Sequence, residues 1–304
     1  KQLLHDVFAT DQNNRLIHRT ALIGMPRKNG KSALGSNLAL WSLFLGDDGG
    51  EVYSCAAEKE QARIVFADAK RIVENNPDLN ELVKTYRDAI EVVSTGSIYR
   101  VLSAEAYSKE GLSPTFVVFD ELHAAPNREL FDVMALGMGA RREPMLLSIT
   151  TAGVKTDTTG QDSVAYSLYQ YGQKVARGEA VDPSFYMAWW EAPEEADHLD
   201  PETWAVANPG YGDLNNIEDF ESMARRTPEA EFRTKRCNQW VSSQNAWLNP
   251  TNWENLAAPR ELDPDAEYIL GFDGSFNGDC TVVVGSTVPA NEIGRAVQQE
   301  CRDR

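Results

Sequence analysis

The chain has 304 residues, 42% of them hydrophobic and 25% charged, with a formal net charge of −17. That composition is ordinary for a globular protein and suits one large domain or two ordinary ones. It excludes a protein that coats nucleic acid with its whole surface, though not one that grips it in a narrow basic channel, and the longest apolar run, Leu38 to Leu45, is too short to span a bilayer.

Lys1 to Phe8 reads as the end of a helix and Gln12-Asn13-Asn14 as a turn. Thr20-Ala21-Leu22-Ile23-Gly24 is a short apolar run expected to form a buried strand. It leads into Met25-Pro26-Arg27-Lys28-Asn29-Gly30-Lys31-Ser32, after which Ala33 to Leu45, apolar nearly all round, reads as a buried helix. Strand, Gly-containing turn, Lys-Ser and helix together make the phosphate-binding loop (P-loop) pattern. Backbone N–H groups of such a turn and of the helix N-terminus converge on phosphate oxygens. Lys31 would reach the β- and γ-phosphates, and the Ser32 hydroxyl would ligate Mg²⁺. The pattern departs at one place: Met25 stands where the first Gly is usual, and Gly24 sits one residue earlier. Taken alone, a Gly turn with solvated basic residues is the alternative.

Asp47-Asp48-Gly49-Gly50 carries turn chemistry, and Val52 to Ala56 is a second strand candidate. Glu58 to Glu74 has helical periodicity, with Ala62, Val65, Phe66, Ala69, Ile72 and Val73 on one face, and Asn75-Asn76-Pro77 stops it. Ile90 to Ser94 and Ile98 to Ser103 read as a hairpin across Thr95-Gly96-Ser97. Thr115 to Glu121 is an apolar strand ending in Asp-Glu. Asp120 would hold Mg²⁺ and Glu121 would polarise an attacking water. Both motifs fall at the carboxyl ends of strands, where ligands bind in open α/β sheets.

Leu146 to Gly153 is another strand, ending in hydroxyls. Thr150 and Thr151 suit a sensor of the γ-phosphate, or simply a strand running into a Gly turn. Arg141 follows Gly137-Met138-Gly139-Ala140. It reads either as a finger on a flexible tip, reaching a neighbouring subunit's nucleotide, or as a solvated charge.

Beyond Gly153 the character changes. Val164 to Arg177 has helical spacing, Tyr186 to Trp190 is a strand candidate, and Glu191 to Pro201 is an acidic connector. Pro201 to Gly212 and a helix from Ile217 to Arg226 form an accessory segment. Arg225, Arg226, Arg233, Lys235 and Arg236 are the densest basic region, interleaved with Phe232 and Trp240. They suit contact with a phosphate backbone or the cover of a helix face. Asn249 to Pro264 reads as a linker, and Tyr268 to Ser275 with Asp279 to Gly285 as a hairpin whose first strand carries Asp273. An Asp there is how a two-metal nuclease begins its carboxylate cluster, with partners expected further along the chain. The four cysteines, Cys55, Cys237, Cys280 and Cys301, have no CxxC spacing and suggest neither a zinc site nor a disulfide framework.

Pro26 to Ser32, Phe119-Asp120-Glu121, Thr150-Thr151-Ala152-Gly153, Ala207-Asn208-Pro209, Glu231 to Lys235, Asn238-Gln239-Trp240 and Gly271-Phe272-Asp273 occur in that order. The combination closely resembles the large terminase subunit of tailed bacteriophages, the motor that packs DNA into a capsid. An Arg-bearing loop is a mark of that family and accounts for the missing first Gly. The resemblance implies an α/β fold: a P-loop ATPase core of the additional-strand type (1–153), a small lid or linker subdomain (154–250) and the start of a ribonuclease H-like nuclease (251–287). It implies ATP and Mg²⁺ as cofactors, with Arg27, Lys28, Asn29, Gly30, Lys31, Ser32, Thr150 and Thr151 on the nucleotide, and Ser32 and Asp120 on its metal. It implies Glu121, Arg27 and, in trans, Arg141 as catalytic groups. Asp273 matches the first nuclease carboxylate, for Mg²⁺ or Mn²⁺; without its partners the chain is expected not to cut DNA. The implied partners are double-stranded viral DNA, a portal protein, a small terminase subunit and copies of the chain in a ring, a pentamer, on the procapsid. The setting is the host cytoplasm, with no membrane. A helicase-like ATPase acting on nucleic acid is the alternative and predicts a second ATPase core. The adenine-binding Gln of the family is expected upstream of Lys1. Glu292 to Arg304 has no terminase character and, back-translated, is compatible with a sequencing adapter, so 288–304 is expected to be a non-native tail.

Overall fold

The computed structural model describes residues 1–102, 111–157, 160–241, 267–273, 282–287 and 296–299. The chain divides into two compact units, Lys1–Ala246 and Trp247–Arg304. In chain order the first contains α1 (Gln2–Val7), β1 (Thr20–Gly24), α2 (Lys31–Leu45), β2 (Glu51–Cys55), α3 (Lys59–Glu74), α4 (Pro77–Asn80), β3 (Val83–Thr85), β4 (Ala89–Val92), β5 (Ser97–Leu102), β6 (Phe116–Asp120), α5 (Glu129–Gly137), β7 (Met145–Thr150), α6 (Val164–Ala176), β8 (Phe185–Trp189), α7 (Pro201–Ala207), α8 (Ile217–Arg226) and α9 (Glu229–Arg236). The second contributes β9 (Tyr268–Asp273), β10 (Val282–Thr287) and β11 (Ala296–Gln299).

The eight strands of the first unit form one sheet in the order β3-β4-β5-β2-β6-β7-β1-β8. From β5 to β8 every neighbouring pair is parallel, and β3 and β4 add an antiparallel edge. The loop strand β1 and the Asp-Glu strand β6 are not neighbours: β7 lies between them and pairs with both. That inserted strand is the additional-strand arrangement expected above. β8, beside β1, lies past residue 153, so the sheet takes in part of the segment assigned to the linker.

Period-two alternation places the mostly apolar residues of the central strands against two cores. Ala21, Ile23, Val52, Phe116, Val118, Met145, Leu147 and Ile149 face one core, shared with α2 and α3. Leu22, Tyr53, Cys55, Val117, Phe119 and Leu146 face the other, covered by α5 and α6. A parallel sheet with both faces covered favours apolar residues on both faces of its strands. A third, smaller core gathers Trp204, Phe220, Phe232 and Cys237 around α7–α9 and forms a small subdomain. α7 and α8 start at side-chain caps, Asp200 accepting from Glu202 N and Asn216 from Glu218 N. Asn238 ties this subdomain to the sheet, accepting from Ala152 N at 2.6 Å and donating to the Trp190 carbonyl at 2.7 Å.

In the second unit β10 pairs antiparallel with β9 and with β11. Asp273 is the last residue of β9, opposite Val282. Of the stretch expected to be non-native, residues 288–304, the described part is β11. Among the described residues no helix is long and apolar enough to cross a membrane.

Candidate active site

β1 ends at Gly24, and the chain turns through residues 25–30 before α2 begins at Lys31. The turn places Lys28 at φ 70° and Gly30 at φ 79°. Gly30 is the N-cap of α2, in the left-handed region that favours glycine. The turn therefore delivers the amides of a long helix's first turn into one concavity.

Lys31 is buried, and its ammonium donates to the carbonyls of Met25 at 2.8 Å and Pro26 at 3.0 Å. Burial lowers its pKa to about 8, against the opposing pull of Glu121 and Asp120. The loop thus already curls around a cation, with its own carbonyls standing where anionic oxygens would go.

The opposite wall comes from the end of β6. Asp120 is buried; its Oδ1 accepts from Glu121 N at 3.0 Å and its Oδ2 from Gln61 Nε2 at 3.3 Å. Burial, reinforced by the charge of Glu121, raises Asp120 to about 6. Glu121 turns out of the strand at φ 50°, ψ 49°. Burial would raise its carboxyl, but a hydrogen bond from His123 and the cations Lys31 and Arg27 prevail and hold it at about 2. Its Oε2 lies 3.0 Å from His123 Nδ1 and accepts from Thr151 Oγ1 at 3.3 Å. Burial depresses the pKa of His123 despite Glu121. His123 Nε2 faces the Lys235 ammonium at 3.3 Å. Lys235 has no acceptor capacity, so Nε2 is the unprotonated nitrogen and Nδ1–H donates to the carboxylate.

Between the two walls lies a cavity of about 740 Å³, lined by Arg27, Lys28, Gly30, Lys31 and Ser32, by Glu58 and Gln61 at the start of α3, and by Glu121 and His123. The loop and Glu121 therefore meet across one open space at the carboxyl end of the parallel strands, while Asp120 is buried beside it and does not line it.

Not every expected site residue lines it. Asn29 is buried in a clasp: its Nδ2 donates to Asn208 Oδ1 at 2.7 Å, and its Oδ1 accepts from Gly210 N at 2.9 Å and Asn215 Nδ2 at 3.2 Å. Its side chain joins the loop to the small subdomain instead of facing the cavity. Thr150 and Thr151 are fully buried, their hydroxyls engaged by His123 and Glu121. Arg141 is elsewhere. It is no flexible tip: its Nε donates to the Ser113 carbonyl at 2.8 Å and its Nη2 to that of Gly49 at 3.2 Å, at the amino end of the strands. His123 and Gln61 are additions that the sequence did not single out, and Lys235, expected only as part of a basic run, joins them. Its place just after the Asp-Glu pair is the signal that could have found His123, whereas Lys235 was hidden inside a basic run.

That run is mostly absorbed by the fold. Arg233 bonds Glu229, the Ala196 carbonyl and Gln239; Arg236 pairs with Asp219 and lies 4.8 Å from the Phe220 ring centroid. The clasp at Asn29 yields a prediction. Asn29→Ala leaves Gly210 N, Asn215 and Asn208 with missing partners, and buried polar groups so stranded cost about 1–3 kcal/mol each. The melting temperature of the chain is expected to fall by roughly 4 °C or more; an unchanged thermal melt would show that the clasp holds nothing.

Comparison with known families supplies the last observation. Residues 7–171 match the family model described as terminase large subunit, ATPase domain, and residues 179–293 that of the terminase large subunit, endonuclease domain. The chain belongs to the terminase large subunit family. This terminase chain is 29% identical over 275 residues to the "Terminase, large subunit" of Enterobacteria phage HK97, covering 87% of the chain and 52% of that relative. The chain thus spans about half the length of that curated relative. The solved structure of the HK97 bacteriophage large terminase aligns with a TM-score of 0.65 at 27% identity, covering 92% of this chain and 59% of that one. The large terminase of the thermophilic bacteriophage D6E in complex with ADP aligns with a TM-score of 0.53 at 11% identity, over 99% of this chain and 68% of that one, and shares the fold.

Proposed function

We propose that this terminase chain hydrolyses ATP and that hydrolysis drives double-stranded viral DNA into a procapsid. The observation that carries the reading is the meeting of Lys31 and Glu121 across one cavity. The triphosphate would lie along residues 27–32, and Lys31 would exchange the Met25 and Pro26 carbonyls for phosphate oxygens. Arg27, on the same wall, would face the γ-phosphate. Glu121, ionised at neutral pH, would accept a proton from the attacking water, aimed by His123 and Thr151.

The donor set suits Mg²⁺. Ser32 lines the cavity, and the buried Asp120 carboxylate accepts from Gln61, which also lines it; hard oxygen ligands of this kind favour a small divalent cation that keeps several waters. Bound there, the ion would neutralise charge on the phosphate oxygens. Thr150 and Thr151 would register the nucleotide's state through Glu121 and His123. Arg141 remains the proposed finger for a neighbouring copy, which requires it to leave Ser113 and Gly49. Asp273 is proposed as the first carboxylate of a nuclease centre that would use Mg²⁺ or Mn²⁺. The proposed setting is the host cytoplasm, on a procapsid, with a portal protein, a small terminase subunit and a ring of copies as partners.

The purified chain mixed with ATP and Mg²⁺ is expected to release phosphate saturably, and chelation of the metal to stop it. Absence of both nucleotide binding and phosphate release would refute the ATPase reading.

A further inference from the structure

His123 touches the base on one side and the small subdomain on the other. We propose that Lys235, on α9, is a positioning residue for Glu121, fixing the His123 tautomer that aims the carboxylate. The proposal rests on the ATPase reading above and goes beyond it in making the base dependent on a residue outside the sheet.

The geometry is a chain of three polar groups. The Lys235 ammonium lies 3.3 Å from His123 Nε2, His123 Nδ1 lies 3.0 Å from Glu121 Oε2, and the imidazole side chain is 9% exposed. An ammonium only donates, so this contact requires a bare Nε2 and puts the ring proton on Nδ1, where it meets the carboxylate. With the opposite tautomer, a nitrogen lone pair would face Glu121 and push it away. Thr150 holds the ring from below, its Oγ1 accepting from His123 N at 3.0 Å and lying 3.1 Å from Nδ1. Gly153 gives the ring room: a Cβ there would stand 3.1 Å from His123 Cβ and 3.2 Å from Cδ2.

Lys235 also touches the phosphate loop, through its backbone. Its carbonyl accepts from Arg27 N at 3.0 Å. One residue of α9 therefore meets both halves of the site, the loop through its main chain and the base through its side chain. Movement of α9 away from the sheet would release the imidazole and the loop together.

Two measurements on the full chain test this. Lys235→Met keeps the carbonyl that bonds Arg27 and removes the ammonium. Its kcat for ATP hydrolysis is expected to fall about tenfold with KM within about twofold, the signature of a lost aiming contact rather than lost binding. Lys235→Arg, which still donates, is expected to recover part of the rate, and the Lys235→Met/His123→Ala double variant to be no slower than His123→Ala alone. The second measurement reads the ring itself: ¹⁵N spectra of histidine-labelled protein, assigned with His123→Gln, are expected to show the Nδ1–H tautomer in the wild type and a mixture in Lys235→Met. An active wild type whose kcat and tautomer are both untouched by Lys235→Met overturns the positioning role and leaves the ATPase reading standing. A wild type that neither binds nor hydrolyses ATP overturns both.

Discussion

Glu121→Gln is expected to bind ATP as the wild type does and to turn it over roughly 10²–10⁴-fold more slowly, the range that a positioned general base contributes. The substitution preserves size and leaves an oxygen that still accepts from His123 and Thr151, so the pocket keeps its shape. What disappears is the basic carboxylate, which in the native chain stays ionised because His123, Lys31 and Arg27 outweigh its burial. Affinity for a fluorescent ATP analogue and the rate of phosphate release separate the two effects. A turnover within threefold of the wild type would remove Glu121 from its role.

Lys31→Met acts on the other wall with a different signature. Each charge-assisted hydrogen bond to phosphate is worth about 1.5–3 kcal/mol, so losing two is expected to weaken nucleotide binding by about 10²–10⁴-fold. The nucleotide-free protein should respond in the opposite sense. Lys31 sits charged in a site that disfavours its charge, with a pKa of about 8 in the fold against an ordinary 10.5. Between those values the unfolded chain binds more protons than the folded one, so wild-type stability rises with pH through that window. Lys31→Met lacks the effect. Measured by denaturant titration, the variant's advantage at pH 7 is expected to shrink as pH climbs above 8. A variant markedly less stable than the wild type at pH 7 would mean that the bonds to Met25 and Pro26 outweigh the buried charge.

The sheet and its loop were legible because their signals are local. Buried parallel strands are short apolar runs, and β1, β2, β6 and β7 all begin within a residue of where those runs do. The helices α3, α6 and α8 follow the period of their apolar faces, and Asn76 stops α3 by capping α4, accepting from Asp78 N at 3.0 Å. α5 and β3 carried no comparable pattern: α5 is apolar without a clear period, and β3 is three residues long. In the site, Lys31, Ser32, Asp120 and Glu121 could be named because backbone geometry near a strand's end dictates their positions. The engagement of the Asn29 side chain could not be read, since its partners lie at Asn208, Gly210 and Asn215, far along the chain. The same distance concealed Lys235. Nothing local distinguishes it from Arg233 or Arg236, whose charges are spent within the subdomain.

Beside the Lys235 contact, amide side chains make much of the joint between the small subdomain and the sheet. Asn29 grips Asn208, Asn238 bridges Ala152 and Trp190, and the Gln239 amide donates to the Pro193 carbonyl at 2.6 Å. Neutral contacts of this kind are indifferent to dissolved ions, whereas any grip on a polyanion weakens steeply as salt is added. If this chain moves DNA as proposed, raising ionic strength should therefore loosen the nucleic acid while these amide contacts hold. Velocity lost in concentrated salt would then measure traction and not transmission.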